Sequence, residues 1–94
     1  MAFFALIYHL AGNYIEQRAP LRPQHLSLAS AAHARGELVL AGAFSEPADK
    51  ALLVFRAADR SVAEDFAKSD PYVLNGLVEK WEVRSWTVVI GNID

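Results

Sequence analysis

Two short fragments of the 94-residue chain carry the side chains that could do chemistry. The first is Arg22-Pro23-Gln24-His25-Leu26 and the second is Asp70-Pro71-Tyr72. Each fragment places an ionisable residue near the start of a predicted helix, because proline is tolerated in the first helical turn. A histidine that meets a carboxylate in a folded chain forms a general base with its orienting partner. We therefore predict a proton-transfer site in which His25 and Asp70 are the catalytic residues.

His25 occupies an unexpected position in its predicted helix, which continues to about Arg35. At ~100° per residue it falls inside the apolar stripe of that helix and so points toward the sheet. Two interpretations remain open: a core histidine with one satisfied hydrogen bond, or a functional histidine that takes up a proton near neutral pH. The stripe is formed by Leu21, Leu28, Ala29 and Ala32.

Asp70 also has two roles open to it. An aspartate that precedes a proline is a favourable N-cap, with Pro71 as the first helical residue. Its spacing from Val62 and Phe66 also places it near the inner face of the preceding helix. One carboxylate oxygen could then cap the helix while the other meets His25. In that arrangement Asp70 would fix the imidazole tautomer and stabilise the imidazolium.

Three further residues are candidates for binding a substrate. Tyr72 could offer its phenol to a bound ring or anion, and Arg22 could bind a carboxylate or phenolate, as could Arg18. The alternatives are core packing for the tyrosine and a solvated surface for the arginines. We take Arg22 and Tyr72 as the candidate substrate-binding residues.

The remaining histidines give weaker signals. His33 lies at the edge of the apolar stripe and is expected to be solvated, whereas His9 ends a strand and is expected to be paired there. The three histidines lack the tight spacing of metal ligands, so we expect no metal site. We expect no cofactor, because the chain has neither cysteine thiolates nor a glycine-rich phosphate loop.

The elements that must position these residues follow the order β-α-β-β-α-β. Strands are predicted over 3–9, 37–44, 51–56 and 81–90, with the second and third forming a hairpin and 14–19 an irregular connection. Ser61 and Glu64 predict a capping box for the second helix, and a proline ends that helix near Ser69. This order is typical of a ferredoxin-like α+β fold, in which two helices cover one face of a four-stranded antiparallel sheet. We expect one domain over 1–94.

The predicted strands are apolar on both faces. Hydrophobic residues make up 53% of the chain, which is high for a domain that buries only a modest core. Trp81 and Trp86 fall on opposite faces of the last strand, so at least one of them is expected to be buried. The simplest cover for the second face is the same face of another copy, so we predict a homodimer through the open sheet face.

Composition excludes several classes of partner. The net charge is −2 and there is no basic patch, so we expect no nucleic-acid binding. The apolar start lacks the basic region of a signal peptide, and it stops at Gly12, far short of the ~20 residues that span a membrane. We expect no membrane association and a cytoplasmic location, which the absence of cysteine also suits.

Taken together, these motifs resemble the YCII-related domain family over essentially the whole chain. The resemblance implies a dimeric α+β barrel with an active site at His25 and Asp70. One branch of the family resembles a dehydrochlorinase that acts on a chlorinated hydroxyhydroquinone, and related barrels isomerise lactones or oxygenate aromatic compounds without a cofactor. The matching fragments are Arg22-Pro23-x-His25-Leu26, Gly36-Glu37-Leu38-x-x-Ala41-Gly42, Asp70-Pro71-Tyr72-Val73-x-x-Gly76-Leu77 and Trp81-Glu82-Val83-x-x-Trp86.

The function that we predict is a small lyase or isomerase. His25 would remove a proton from a small cyclic or aromatic substrate, Asp70 would orient it, and Arg22 or Tyr72 would stabilise the oxyanion. Two alternatives are a non-catalytic module that binds a small ligand and a cofactor-independent oxygenase of the same barrel type.

Overall fold

A four-stranded antiparallel sheet forms the framework of the protein, and helices pack on one of its faces. The computed structural model describes residues 1–91. Strand β1 (Ala2–Leu10) pairs on one side with β3 (Lys50–Ala57) and on the other with β4 (Val78–Trp86), while β2 (Leu38–Ala43) pairs with β3. The resulting strand order, β2-β3-β1-β4, is that of the predicted ferredoxin-like fold and confirms the fold class.

The helices are α1 (Tyr14–Gln17), α2 (Arg22–Ala34), α3 (Ser61–Ser69) and α4 (Pro71–Leu74). The segment expected to be irregular therefore contains one helical turn, α1. The proline at the second position of α2 and the glycine after its end punctuate that helix as predicted. Gly36 has φ +81°, a left-handed conformation that glycine adopts without a Cβ clash. None of the helices within residues 1–91 is long and apolar enough to cross a lipid bilayer.

The alternation of side chains along β1 places a tyrosine beneath the helices. The even-numbered residues of this strand from Phe4 to Leu10 are buried in the core between sheet and helices. Tyr8 is one of them and is 1% exposed. The odd-numbered residues face the opposite, open side of the sheet, because successive side chains of a strand point to opposite faces.

Strand β4 is displaced toward the amino terminus relative to the prediction. It ends at Trp86, which pairs with Phe3 near the start of β1. Little β1 backbone remains beyond that pair, so the ladder cannot continue to Ile90. The predicted end of this strand was therefore wrong, because the length of the partner strand sets it.

The predicted capping box at α3 was also wrong. Arg60 is the N-cap residue and its side chain makes no capping hydrogen bond. Instead, Ser61 donates both its backbone N–H (2.9 Å) and its hydroxyl to the carboxylate of Asp59. These hydrogen bonds lower the pKa of Asp59. Glu64 pairs with Arg60 at 3.3 Å rather than returning to the helix start.

The open face of the sheet is apolar in the middle of β1, β2 and β3 but charged along β4 and, at Lys50 and Arg56, at both ends of β3. This corrects the expectation of two apolar faces throughout. The apolar residues predicted at the end of β4 lie beyond the strand, and the register turns charged side chains to the open side. Trp86 lies on this face and is 45% exposed, whereas Trp81 packs partly buried against the helix-side core. The charged residues of β4 on this face are Lys80, Glu82 and Arg84.

Candidate active site

Asp70 occupies the junction between α3 and α4 and is completely buried. Its backbone is extended (φ −72°, ψ 122°), because a residue before proline avoids the helical region. As the N-cap of α4, it accepts a hydrogen bond from the backbone N–H of Tyr72 at 3.0 Å through Oδ1. The predicted N-cap is therefore present, on a carboxylate that faces the protein interior.

The same carboxylate contacts His25, near the start of α2. The Nδ1 atom of His25 lies 2.9 Å from Oδ1 and 3.0 Å from Oδ2 of Asp70. A carboxylate only accepts hydrogen bonds, so Nδ1 is assigned as the donor, and in the neutral ring the lone pair is then on Nε2. The side chain of His25 is 16% exposed and that of Asp70 is fully buried. Asp70 thus binds the histidine from the protein interior, while part of the imidazole ring remains accessible to solvent.

Tyr8 supplies a third donor to the carboxylate and was missed in the sequence. Its hydroxyl donates to Oδ2 of Asp70 at 2.8 Å. Burial, then the charge of Asp70 and this hydrogen bond, raise the pKa of the Tyr8 phenol far above its usual range, so it stays protonated. The available signal was a tyrosine at a helix-facing position of a strand, because a buried phenol usually finds a hydrogen-bond partner.

Aromatic packing fixes the plane of the imidazole. The rings of His25 and Tyr72 are stacked, with centroids 4.0 Å apart and planes 8° from parallel. Tyr14, a second residue that the sequence interpretation missed, meets Tyr72 edge-on with centroids 5.7 Å apart. Arg18 lies over the ring of Tyr14, 5.4 Å from its centroid. Tyr72 is therefore packed as a core residue, and it also lies beside the candidate base.

A cleft of about 300 Å³ lies against this cluster. His25 and Tyr72 line it together with the candidate arginines Arg18 and Arg22, whereas Asp70 is shielded from it. The volume is at the lower end of the ~300–1,000 Å³ range of ligand pockets, and an apolar cavity of ~150 Å³ already accepts benzene. The cleft therefore suits a single substituted ring. Small residues also line the cleft: Ala29, Ala41, Gly42, Ala43 and Ala51.

The other two histidines lie away from the cleft. His33 is exposed, and its Nδ1 lies 2.8 Å from the carbonyl oxygen of Leu38. His9 lies on the open face, with Nε2 3.9 Å from a carboxylate oxygen of Glu82. Within residues 1–91, no three His, Cys, Asp or Glu side chains are grouped to hold a metal ion.

The fold and this cleft define a ferredoxin-like α+β domain with an aromatic pocket on the helix side of its sheet. The sequence pattern of the YCII-related domain matches residues 1–87, and the chain belongs to this family. The resemblance noted in the sequence is thereby confirmed. No curated protein matches the sequence.

Solved structures with the same fold cover nearly all of the chain. The 5-chloro-2-hydroxyhydroquinone dehydrochlorinase of Burkholderia phenoliruptrix AC1100, in complex with 2,5-dihydroxybenzoquinone, matches with a TM-score of 0.75 and 16% identity over 90% of this chain and 93% of that one. Protein Atu4242 of Agrobacterium tumefaciens matches with a TM-score of 0.61 and 15% identity, over 95% of this chain and 94% of that one. A NIPSNAP family protein of A. tumefaciens C58 matches with a TM-score of 0.60 and 14% identity, over 93% of this chain and 91% of that one. At these identities the likeness establishes the fold alone.

The hydrogen bond from Tyr8 makes a testable contribution to stability. Tyr8→Phe keeps the ring but removes one donor from a buried carboxylate, so the free energy of unfolding at pH 7 should fall by ~1.5–3 kcal/mol. Tyr14→Phe is the matched control, because its hydroxyl makes no hydrogen bond within residues 1–91. Urea denaturation of the two variants would measure the difference, and equal losses would contradict the role given to Tyr8.

The raised pKa of Tyr8 also predicts a pH dependence. Since folding stabilises the protonated phenol, its contribution is complete below the unfolded pKa of about 10 and decreases as pH rises above it. The stability of the wild type should therefore fall above about pH 10, and that of Tyr8→Phe should fall less steeply. Denaturation series at several alkaline pH values would measure both slopes, and parallel slopes would contradict this account.

Proposed function

We propose that this protein is a small-molecule enzyme of the lyase or isomerase type, which transfers protons on a small cyclic or aromatic substrate. One observation carries the proposal: Nδ1 of His25 is hydrogen-bonded to the buried carboxylate of Asp70, and the same imidazole lines the cleft. The atom of the ring left to meet a ligand is therefore Nε2, with its lone pair. That is the arrangement of a general base with its orienting carboxylate.

The residues around the cleft have separate roles in the proposed step. Nε2 of His25 takes a proton from a hydroxyl group or an acidic carbon of the substrate, and Asp70 stabilises the imidazolium that forms. Arg22 and Tyr72 stabilise negative charge that develops on the substrate. The imidazolium then returns the proton to another atom in an isomerisation, or releases it after a leaving group departs.

The dehydrochlorinase of the same fold suggests one substrate class. In such a reaction a hydroxyl proton moves to the chlorinated ring carbon, chloride leaves with the bonding electrons, and a second hydroxyl proton is released. The net loss is HCl and the product is a quinone, so the step needs no oxidant. The quinone bound to that relative is a single ring, the size of ligand that the 300 Å³ cleft suits.

Replacing the histidine without removing its hydrogen bond tests this proposal. His25→Asn keeps an N–H donor toward Asp70 but has no second ring nitrogen, so the rate should fall ~10²–10⁴-fold. His33→Asn, on the same helix but outside the cleft, should keep the wild-type rate. Chloride release from 5-chloro-2-hydroxyhydroquinone, and exchange of ring hydrogens of hydroxyhydroquinone in D2O followed by NMR, would measure turnover.

Each alternative function gives a different result in these assays. Equal rates for His25→Asn and the wild type would contradict a base at this position. Saturable binding of the ring compounds by the wild type with no turnover would favour a binding module. Consumption of oxygen with a quinol substrate would favour the oxygenase.

We also propose that a second copy of the chain covers the open face of the sheet. Large apolar side chains are exposed there, including Leu40 (64%) and Trp86 (45%). Leu52→Asp would place a charge on this face, next to Ile7, and should convert a dimer to a monomer of 10.4 kDa. Leu74→Asp, at an exposed position of α4 on the helix side, is the control and should leave the mass unchanged. Sedimentation equilibrium would measure the masses, and a monomeric wild type would contradict the proposal.

A further inference from the structure

The cleft contains positive charge that no acidic side chain within residues 1–91 neutralises. Arg18 and Arg22 line it, and no acidic side chain of the described residues does. Neither arginine forms an ion pair within residues 1–91, although the whole chain has a net charge of −2. Elsewhere arginines are paired: Arg35 meets Glu37 at 2.9 Å and Arg60 meets Glu64 at 3.3 Å. Two guanidinium groups that have no ion-pair partner within residues 1–91 thus both line the cleft.

A buried hydroxyl in the same wall also lacks a partner. The Oη atom of Tyr72 is inaccessible to solvent in the free protein and makes no hydrogen bond of acceptable geometry, although the residue is only 2% exposed. Leaving such a group unsatisfied is unfavourable, and it is rare in folded proteins. Burial makes the largest contribution to raising the pKa of Tyr72, and the neighbouring Tyr14 raises this pKa further. The nearby Arg22 and Arg18 lower it. The hydroxyl therefore remains protonated and free to donate.

From these two observations we propose that the cleft binds its substrate as an anion, namely a small planar carboxylate or an ionised phenol or enol. Arg18, Arg22 and the hydroxyl of Tyr72 hold the anionic oxygens. This inference rests on the proposed function, because it specifies the substrate class of the same cleft. Guanidinium groups suit this task, because their planar fork matches two oxygens at once.

The position of the anion subsite fits the candidate base. Arg22 precedes His25 by three residues on α2, and residues at that spacing are neighbours on one helix face. Tyr72 stacks directly on the imidazole. A single ring whose charged group meets Arg22 and Tyr72 therefore lies beside His25, within a cleft too small for a much longer molecule.

Binding measurements with matched charged and neutral rings test the inference without requiring turnover. Benzoate and benzamide have nearly the same shape and differ in charge, and 2,5-dihydroxybenzoquinone supplies an ionised enol. By calorimetry, the wild type should bind benzoate, the quinone or both. If benzoate binds, its affinity should be at least about tenfold higher than that of benzamide. Arg18→Gln and Arg22→Gln should each weaken anion binding about fivefold to tenfold, since both substitutions remove a charged hydrogen-bond donor. Arg35→Gln, the matched loss of charge outside the cleft, should change affinity less than about twofold.

Tyr72→Phe separates a binding role from a structural one. It keeps the ring that stacks on His25 and removes only the unpaired hydroxyl. We expect weaker anion binding together with a Tm equal to or above that of the wild type, because no buried group loses a partner. A lower Tm with unchanged affinity would assign the hydroxyl to structure and remove it from the subsite.

The outcomes distinguish the two anion classes and the two proposals. Preference for benzoate identifies carboxylates, and preference for the quinone identifies ionised enols or phenols; either supports the inference. Three results would overturn it: equal affinity for benzoate and benzamide without tighter binding of the quinone, no binding of either anion, or no response of anion binding to Arg18→Gln and Arg22→Gln. Those results leave the His25→Asn kinetics unaffected, so proton transfer on a neutral substrate would still stand. Conversely, anion binding with no loss of rate in His25→Asn would retain the subsite and reject the base.

Discussion

One buried carboxylate determines the arrangement of this protein's central elements. Asp70 is inaccessible to solvent, and a charge in that position is strongly unfavourable unless donors surround it. The donors come from three elements: Tyr8 on β1, His25 on α2 and the backbone N–H of Tyr72 on α4. The sheet and two helices must therefore converge on a single point.

The interactions that satisfy Asp70 also define the proposed chemistry. The hydrogen bond to Nδ1 of His25 leaves Nε2 as the basic atom, and the stacked ring of Tyr72 fixes the imidazole plane. Behind the imidazole lies a buried negative charge, and along the cleft lie two arginines without ion-pair partners in residues 1–91. A ligand that enters the cleft thus meets two positive charges and an imidazole that is hydrogen-bonded to a buried carboxylate.

Features set by neighbouring residues could be predicted from the sequence, whereas contacts between residues far apart in the chain could not. The order of elements followed from proline and glycine at helix ends, and His25 and Asp70 stood out because each is a polar residue at an inward-facing position. Tyr8 was missed because its partner lies 62 residues away, and a tyrosine in an apolar strand gives no sign of which residue it will contact. The capping box failed because Asp59, two residues before Ser61, accepts the backbone N–H of Ser61 that Glu64 was expected to accept. The end of β4 depends on the length of β1, and the residues of β4 carry no information about that length.

The tautomer of His25 is the most direct test of the account. Two-bond ¹H–¹⁵N correlation spectra of the imidazole would be recorded at a pH where the ring is neutral, in the wild type and in Asp70→Asn. We predict a proton on Nδ1 and a bare Nε2 in the wild type, and loss of this preference in Asp70→Asn. A wild-type proton on Nε2 would contradict the account, because the nitrogen left to the cleft would then be a donor and not a base.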